Sequence, residues 1–174
     1  RPVLAHVARE AAASAADETV AVLREGDAAR AAALGGTGAR IAENRRAGEG
    51  MGTSIAAGLA ALREDADAVL ILMGDMPEIR ARDIDRLIAA FDPEENRAIV
   101  RATSEDGRPG HPVLFGRRFF EALAALGGDS GARQVIGENA EFLVEVALSG
   151  RAALTDLDTP EAWEAWRRGD PLPA

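Results

Sequence analysis

The sequence contains no cysteine, no tyrosine and no lysine. Without thiols there can be no disulfides, thiolate metal sites, iron–sulfur clusters or cysteine nucleophiles. Catalysis is left to carboxylates, hydroxyls, arginines, two histidines or a bound metal ion. All 20 basic residues are arginine and they face 29 acidic ones, giving a net charge of −9. That balance argues against nucleic acid as a partner, because phosphate-backbone binding needs a basic stripe. A small anionic substrate held by a few arginines or a metal remains open. Long apolar runs are missing too: the longest, Ala68 to Met73, falls far short of the ~20 residues of a membrane helix. No signal-peptide pattern is present, and the cytoplasm is the default location.

What is there suits one α/β domain over residues 1–174, with 47% apolar residues to fill its core. Helix patterns over 2–16 and 27–34 flank a strand pattern over 18–24, and a short strand over 40–43 leads into a polar loop at 44–50. A helix opening at Thr53 and Ser54 precedes Ala68 to Met73, whose continuous apolar character fits a strand covered on both faces in a parallel sheet. An amphipathic helix over 79–91 follows, then strands near 99–102 and 112–115 separated by a turn at 105–110. Helices over 117–126 and 132–138, a strand over 142–148 and an extended stretch over 154–157 lead to a last helix. Thr159 as cap and Pro160 at the first helical position mark its start. The first residue is Arg1 rather than methionine and helix pattern begins at once, so the natural start is expected upstream.

Ligands of open α/β sheets gather where strands end, so polar residues directly after strands are the first candidates. Asp75 follows the most apolar strand in Gly74-Asp75-Met76-Pro77, and Asp158 sits in Thr155-Asp156-Leu157-Asp158-Thr159-Pro160. Two such carboxylates could hold one Mg²⁺, which completes its shell with water and substrate phosphate; alone, each also reads as a turn or cap residue. A second constellation, Glu43-Asn44 with Glu49-Gly50-Met51-Gly52-Thr53-Ser54, runs a glycine-bearing loop into a helix. It has no Walker lysine and is not a P-loop, and Thr53 or Ser54 also read as plain N-caps. His111 stands between glycine and proline in Gly110-His111-Pro112, with catalytic and structural readings in balance. Asp129, Ser130 and Arg133 form a third helix entrance, suited to an anion or to simple capping.

In this order the motifs resemble the molybdenum-cofactor nucleotidyltransferases, closest to the cytidylyltransferase branch. The residues that carry the resemblance are Arg1-Pro2-Val3-Leu4 with His6-Val7, Glu43-Asn44, Glu49 to Ser54, Gly74 to Pro77, Gly110 to Phe115, Gly128 to Arg133 and Asp156 to Glu161. They span nearly the whole chain. The resemblance implies a three-layer Rossmann-like nucleotidyltransferase fold with a mostly parallel central sheet. It implies transfer of CMP, or else GMP, from a nucleoside triphosphate to the phosphate of a molybdopterin cofactor, with release of pyrophosphate. Asp75 and Asp158 would be the catalytic, Mg²⁺-binding carboxylates; Asn44, Gly52, Thr53, Ser54 and Asp75 would meet the nucleotide, with CTP favoured over GTP. His111, Asp129, Ser130 and Arg133 would face the pterin acceptor, and a molybdoenzyme or cofactor chaperone would be the protein partner.

The resemblance also implies a first strand and a Leu-Ala-Ala-Gly-type loop, ending in an arginine and a lysine that grip the triphosphate. Neither stands before Arg1, so the expectation is that these residues omit an N-terminal stretch or that the chain is inactive as given. Two other readings stay open: a non-catalytic cofactor-delivery module on the same fold, and a nucleotidyltransferase for another phosphorylated acceptor. A receiver-like phosphoacceptor domain ranks last, since it would need a lysine.

Overall fold

A computed structural model describes residues 2–170; Arg1 of the N-terminal motif lies outside them. Six strands and seven α-helices occur among the described residues: α1 Val3–Ala12, β1 Val20–Arg24, α2 Ala28–Ala33, β2 Arg40–Asn44, α3 Met51–Ala60, β3 Ala68–Ile71, α4 Ala81–Ala90, β4 Ile99–Thr103, β5 Pro109–Gly116, α5 Phe120–Ala124, α6 Arg133–Glu138, β6 Leu143–Ala147 and α7 Pro160–Arg168. The strands form two sheets. β1 and β2 pair in parallel, and the other four run in the order β3-β5-β4-β6.

The α/β class and Rossmann-like layering hold, but the larger sheet is mixed where a mostly parallel one was expected. β4 and β6 are parallel, whereas β5 is antiparallel to both β3 and β4. The reason is local. The segment joining β4 to β5 turns back on itself through Ser104 N–H to Arg108 O (2.9 Å) and Gly107 N–H to Ser104 O (2.9 Å), with Gly107 at φ +84°. A short reversal of this kind joins antiparallel neighbours, because a parallel return needs a long crossover.

Register aligns the core in rows. Leu70, Leu114, Val100 and Val144 stand side by side across β3, β5, β4 and β6, as do Val69, Phe115, Ile99 and Leu143. Side chains alternate between the faces of a strand, so the first row meets Met76, Ile79 and α4's Ile84 and Leu87. The second row meets α3's Ile55, α5's Leu123 and α6's Val135 and Ile136. Helices thus cover both faces in three layers. Phe115, Ile99, Val100, Leu87 and Leu123 are fully enclosed, each burial stabilising by about 1.5–3 kcal/mol. A smaller cluster packs Ala8 of α1 and Leu34 after α2 against Leu23 of β1.

α7 starts as its sequence indicated: the Thr159 hydroxyl accepts the Ala162 N–H at 3.1 Å, and Pro160 opens the helix. Its Trp163 and Trp166 stack at 5.3 Å, and His6 of α1 lies 5.6 Å from the Trp166 ring. Trp166 Nε1 donates to Glu78 at 3.3 Å and Arg80 sits over the same ring. These residues tie α1, the segment after β3 and α7 together by packing. No helix among the described residues is long and apolar enough to cross a membrane.

Candidate active site

Asp75 lies in the turn that follows β3, where the apolar run ends and the backbone leaves the sheet. Its Oδ1 is buried and has no hydrogen-bond partner among the described residues. Burial pushes its carboxyl above the ordinary aspartate range, and the charges of Asp156 and Asp158 push the same way, while His111 opposes them weakly. The stretch leading into α7 therefore stands against the β3 turn. It is tied there by the Leu157 N–H, which donates to Asp75 O at 2.9 Å. Leu157 is buried, whereas Asp156 and Asp158 on either side of it are exposed. The two sequence-predicted carboxylates thus lie on segments that are tied to each other through backbone.

Asp156 is the residue that sequence reasoning missed. It lies within the Asp-Leu-Asp motif beside Asp158, and its charge acts on Asp75 ahead of that of Asp158. The signal was present, since alternate residues of an extended stretch share a side. The cap of α7 falls on Thr159, which leaves Asp158 free of the capping role it could have had.

His111, the third residue of β5, lies within electrostatic reach of Asp75. Burial holds its imidazole below the ordinary histidine range; Asp75 opposes this and Arg133 adds to it. Its Nδ1 is buried and unpartnered among the described residues. Asp75, His111 and Arg133 are thereby linked electrostatically. Asp129 and Ser130 are exposed and do not cap α6, whose N-cap is Ala132 with no side-chain cap bond.

The glycine loop before α3 meets this second group through backbone. α3 begins at Met51 with Gly50 as its N-cap, two residues earlier than expected, because Gly50 at φ +114° makes the turn. A Cβ on Gly50 would lie 2.2 Å from Gly128 O, and one on Gly52 would lie 2.9 Å from Ser130 O. Gly52 N–H donates to Gly128 O at 3.1 Å. Asn44 is buried and engaged on every polar atom: Nδ2 donates to the hydroxyls of Thr53 and Ser54 (both 3.0 Å), and Oδ1 accepts from Arg46 N–H (2.9 Å). The Thr53 hydroxyl also sits 2.8 Å from the carbonyls of Arg46 and Gly50. Asn44 and Thr53 therefore hold β2 to the start of α3, and what faces outward here is the exposed Met51 with the partly exposed Ser54.

A divalent cation fits the Asp75 turn by donor chemistry. An orphaned carboxylate oxygen within electrostatic reach of two further carboxylates offers oxygen donors of the kind a hard ion takes. No group of three or more His, Cys, Asp or Glu among the described residues is placed to hold a metal ion by itself, so any ion here would need water or substrate oxygens to complete its shell. Asp75 at a strand-end turn, Asp158 in the irregular stretch before α7 and a glycine-started helix on an α/β scaffold are features that suit a nucleotide-handling enzyme. The chain belongs to the MobA-like NTP transferase domain family, whose model matches residues 1–142. Among solved structures it is similar to Rv0371c from Mycobacterium tuberculosis H37Rv, with 28% identity, a TM-score of 0.73 and coverage of 95% of this chain and 82% of that one. A structure of Rv0371c complexed with manganese matches at 30% identity and TM-score 0.70, covering 95% and 84% of the two chains. The 4-diphosphocytidyl-2C-methyl-D-erythritol synthase of Anaerococcus prevotii DSM 20548 shares the fold at 16% identity and TM-score 0.69, covering 92% and 82%. No curated protein matches the sequence.

Proposed function

We propose that this nucleotidyltransferase moves a nucleoside monophosphate, CMP in preference to GMP, from the triphosphate to the phosphate of molybdopterin. The acceptor phosphate oxygen attacks the α-phosphorus, a new phosphoanhydride forms, the bond from the α-phosphorus to the bridging oxygen breaks, and pyrophosphate leaves. The observation that carries the reading is the buried, unpartnered Asp75 Oδ1, on a turn tied by its backbone to the stretch that bears Asp156 and Asp158. Phosphoryl-type transfer is chiefly positioning and charge neutralisation, so the absence of a thiol or a Walker lysine is no obstacle. A bound Mg²⁺ or Mn²⁺ would offset the charge of the triphosphate and polarise its oxygens; Asp75 and Asp158, with Asp156 beside them, would hold it. The manganese complex of Rv0371c supports that choice of ion class.

In this reading the start of α3, with Met51 and Ser54, receives the nucleotide, and Asn44, Gly52 and Thr53 serve by fixing that entrance, Gly52 through its N–H to Gly128 O. His111, Asp129, Ser130 and Arg133 face the pterin acceptor, with Arg133 as the cation for its phosphate. Preference for CMP and for the molybdopterin acceptor rests on the resemblance carried by the ordered motifs from Arg1 to Glu161. The setting is the cytoplasm, with a molybdoenzyme or its cofactor chaperone taking the product.

The test is pyrophosphate release from CTP and from GTP with molybdopterin, with Mg²⁺ or Mn²⁺ and with chelator. The expected result is metal-dependent release that is faster with CTP and falls by roughly a hundredfold in Asp75→Ala, as loss of charge stabilisation in a transition state predicts. An unchanged rate in Asp75→Ala would remove the assignment, and acceptor binding without turnover would favour a delivery module.

A further inference from the structure

We infer that Gly110 is a positioning residue for the Asp156–Asp158 carboxylates, acting through the backbone of Ala153; the inference rests on the cation reading above. A Cβ at Gly110 would lie 2.0 Å from Ala153 O, 2.7 Å from its carbonyl carbon and 3.0 Å from its Cβ. The first two are backbone atoms and cannot rotate aside. The next residue along β5 uses the same carbonyl: His111 N–H donates to Ala153 O at 2.9 Å. The stretch from Ala153 to Asp158 is thus held at two points, by His111 N–H near its start and by Asp75 O, which accepts from Leu157 N–H, near its end.

Beyond the burial of Ala153 and Leu157, few hydrogen bonds fix this stretch. It has no regular secondary structure beyond a turn, and Leu154 and Thr155 bond back only to Arg151 O (2.8 and 3.0 Å). Asp156 and Asp158 are exposed and have no side-chain partner among the described residues, so their place relative to Asp75 is set by the backbone on either side. The first tie requires the β5 and Ala153 backbones to approach more closely than any side chain allows. Glycine at 110 supplies that approach, and the same contact holds His111 within electrostatic reach of Asp75. Gly110 touches no reacting group and acts on the carboxylates only through this tie.

Amide hydrogen exchange and Mn²⁺ binding, followed by electron paramagnetic resonance on the whole protein, test this. In the native protein the His111 and Leu157 amides should be protected, although Leu157 lies outside any helix or strand. Exchange at the rate of a free loop at both amides would overturn the inference without any variant. In Gly110→Ala, Leu157 exchange should speed up by about tenfold or more, and Mn²⁺ should bind about ten- to a hundredfold more weakly, as when the support of a metal ligand is lost. Gly137→Ala, at a glycine with nothing within 4 Å of the added carbon, should change neither. Folded Gly110→Ala with native Leu157 protection would refute the positioning role. A native protein that binds no Mn²⁺ would instead refute the proposed function, and the exchange data would still decide the role of Gly110.

Discussion

At the scale of the residue, Asp75 is placed against its own stability. Burial and two neighbouring carboxylates raise its pKa in the folded chain, so the folded state holds the proton more tightly than the unfolded one. Folding stability then falls as pH rises through and above the ordinary aspartate range, and at neutral pH the charged group is a net cost. His111 slopes the other way. Its pKa is lowered on folding, so stability is lost as pH falls below the ordinary histidine range. Asp75→Asn should therefore raise the melting temperature of the metal-free protein at pH 7 while removing metal-dependent turnover, and the gain should vanish near pH 4. Thermal melts in chelator across that range measure it, and a destabilised Asp75→Asn at pH 7 would contradict the account.

Asp75 was legible because it follows the most apolar run in the chain. Asp156 was not singled out, because Asp-Leu-Asp before a Thr-Pro helix start draws attention to the cap, and only the fold shows which side of the extended stretch meets β3. Gly110 was invisible as a requirement, since its neighbour Ala153 lies far away in sequence.

At the scale of elements, the joint between β2 and α3 shows how a polar loop can read as a ligand site while serving the scaffold. Asn44 spends both amide hydrogens and its oxygen on Thr53, Ser54 and the Arg46 N–H. Replacing it by alanine removes three hydrogen bonds, each worth about 0.5–1.5 kcal/mol. Asn44→Ala should lower stability by about 2 kcal/mol in denaturant titration and raise the KM for the nucleotide only as α3 loses its seat. The sequence carried the residues of this joint but not their partners, because Asn, Thr and Ser next to glycine fit a ligand and a cap equally well. The mixed larger sheet has a similar origin. Both strand candidates and the turn between them were readable, and the shortness of that turn was the clue to the antiparallel pairing.

At the scale of the whole molecule, the division into two sheets sets a hierarchy of stability. β5 and β4 lie inside the four-stranded sheet with neighbours on both edges. β1 and β2 pair only with each other and rely on α3 packed against them and on the small cluster with α1 and α2. A two-stranded sheet is marginal alone, so its protection comes from those helices. Native-state hydrogen exchange should show the amides of β1 and β2 opening at lower free energy than those of β4 and β5. Equal protection would mean that the two sheets unfold as one unit. The layering was legible from alternating helix and strand patterns, whereas the division was not, since strand order is set by contacts between segments far apart in the chain.

The stacked Trp163 and Trp166 give the molecule its own optical reporter. They are its only tryptophans, and one of them bonds Glu78, three positions beyond Asp75. Any ion or nucleotide that shifts the β3 turn relative to α7 changes the surroundings of an indole, so intrinsic fluorescence can follow occupancy of the site in an unlabelled chain, with no tyrosine emission to subtract.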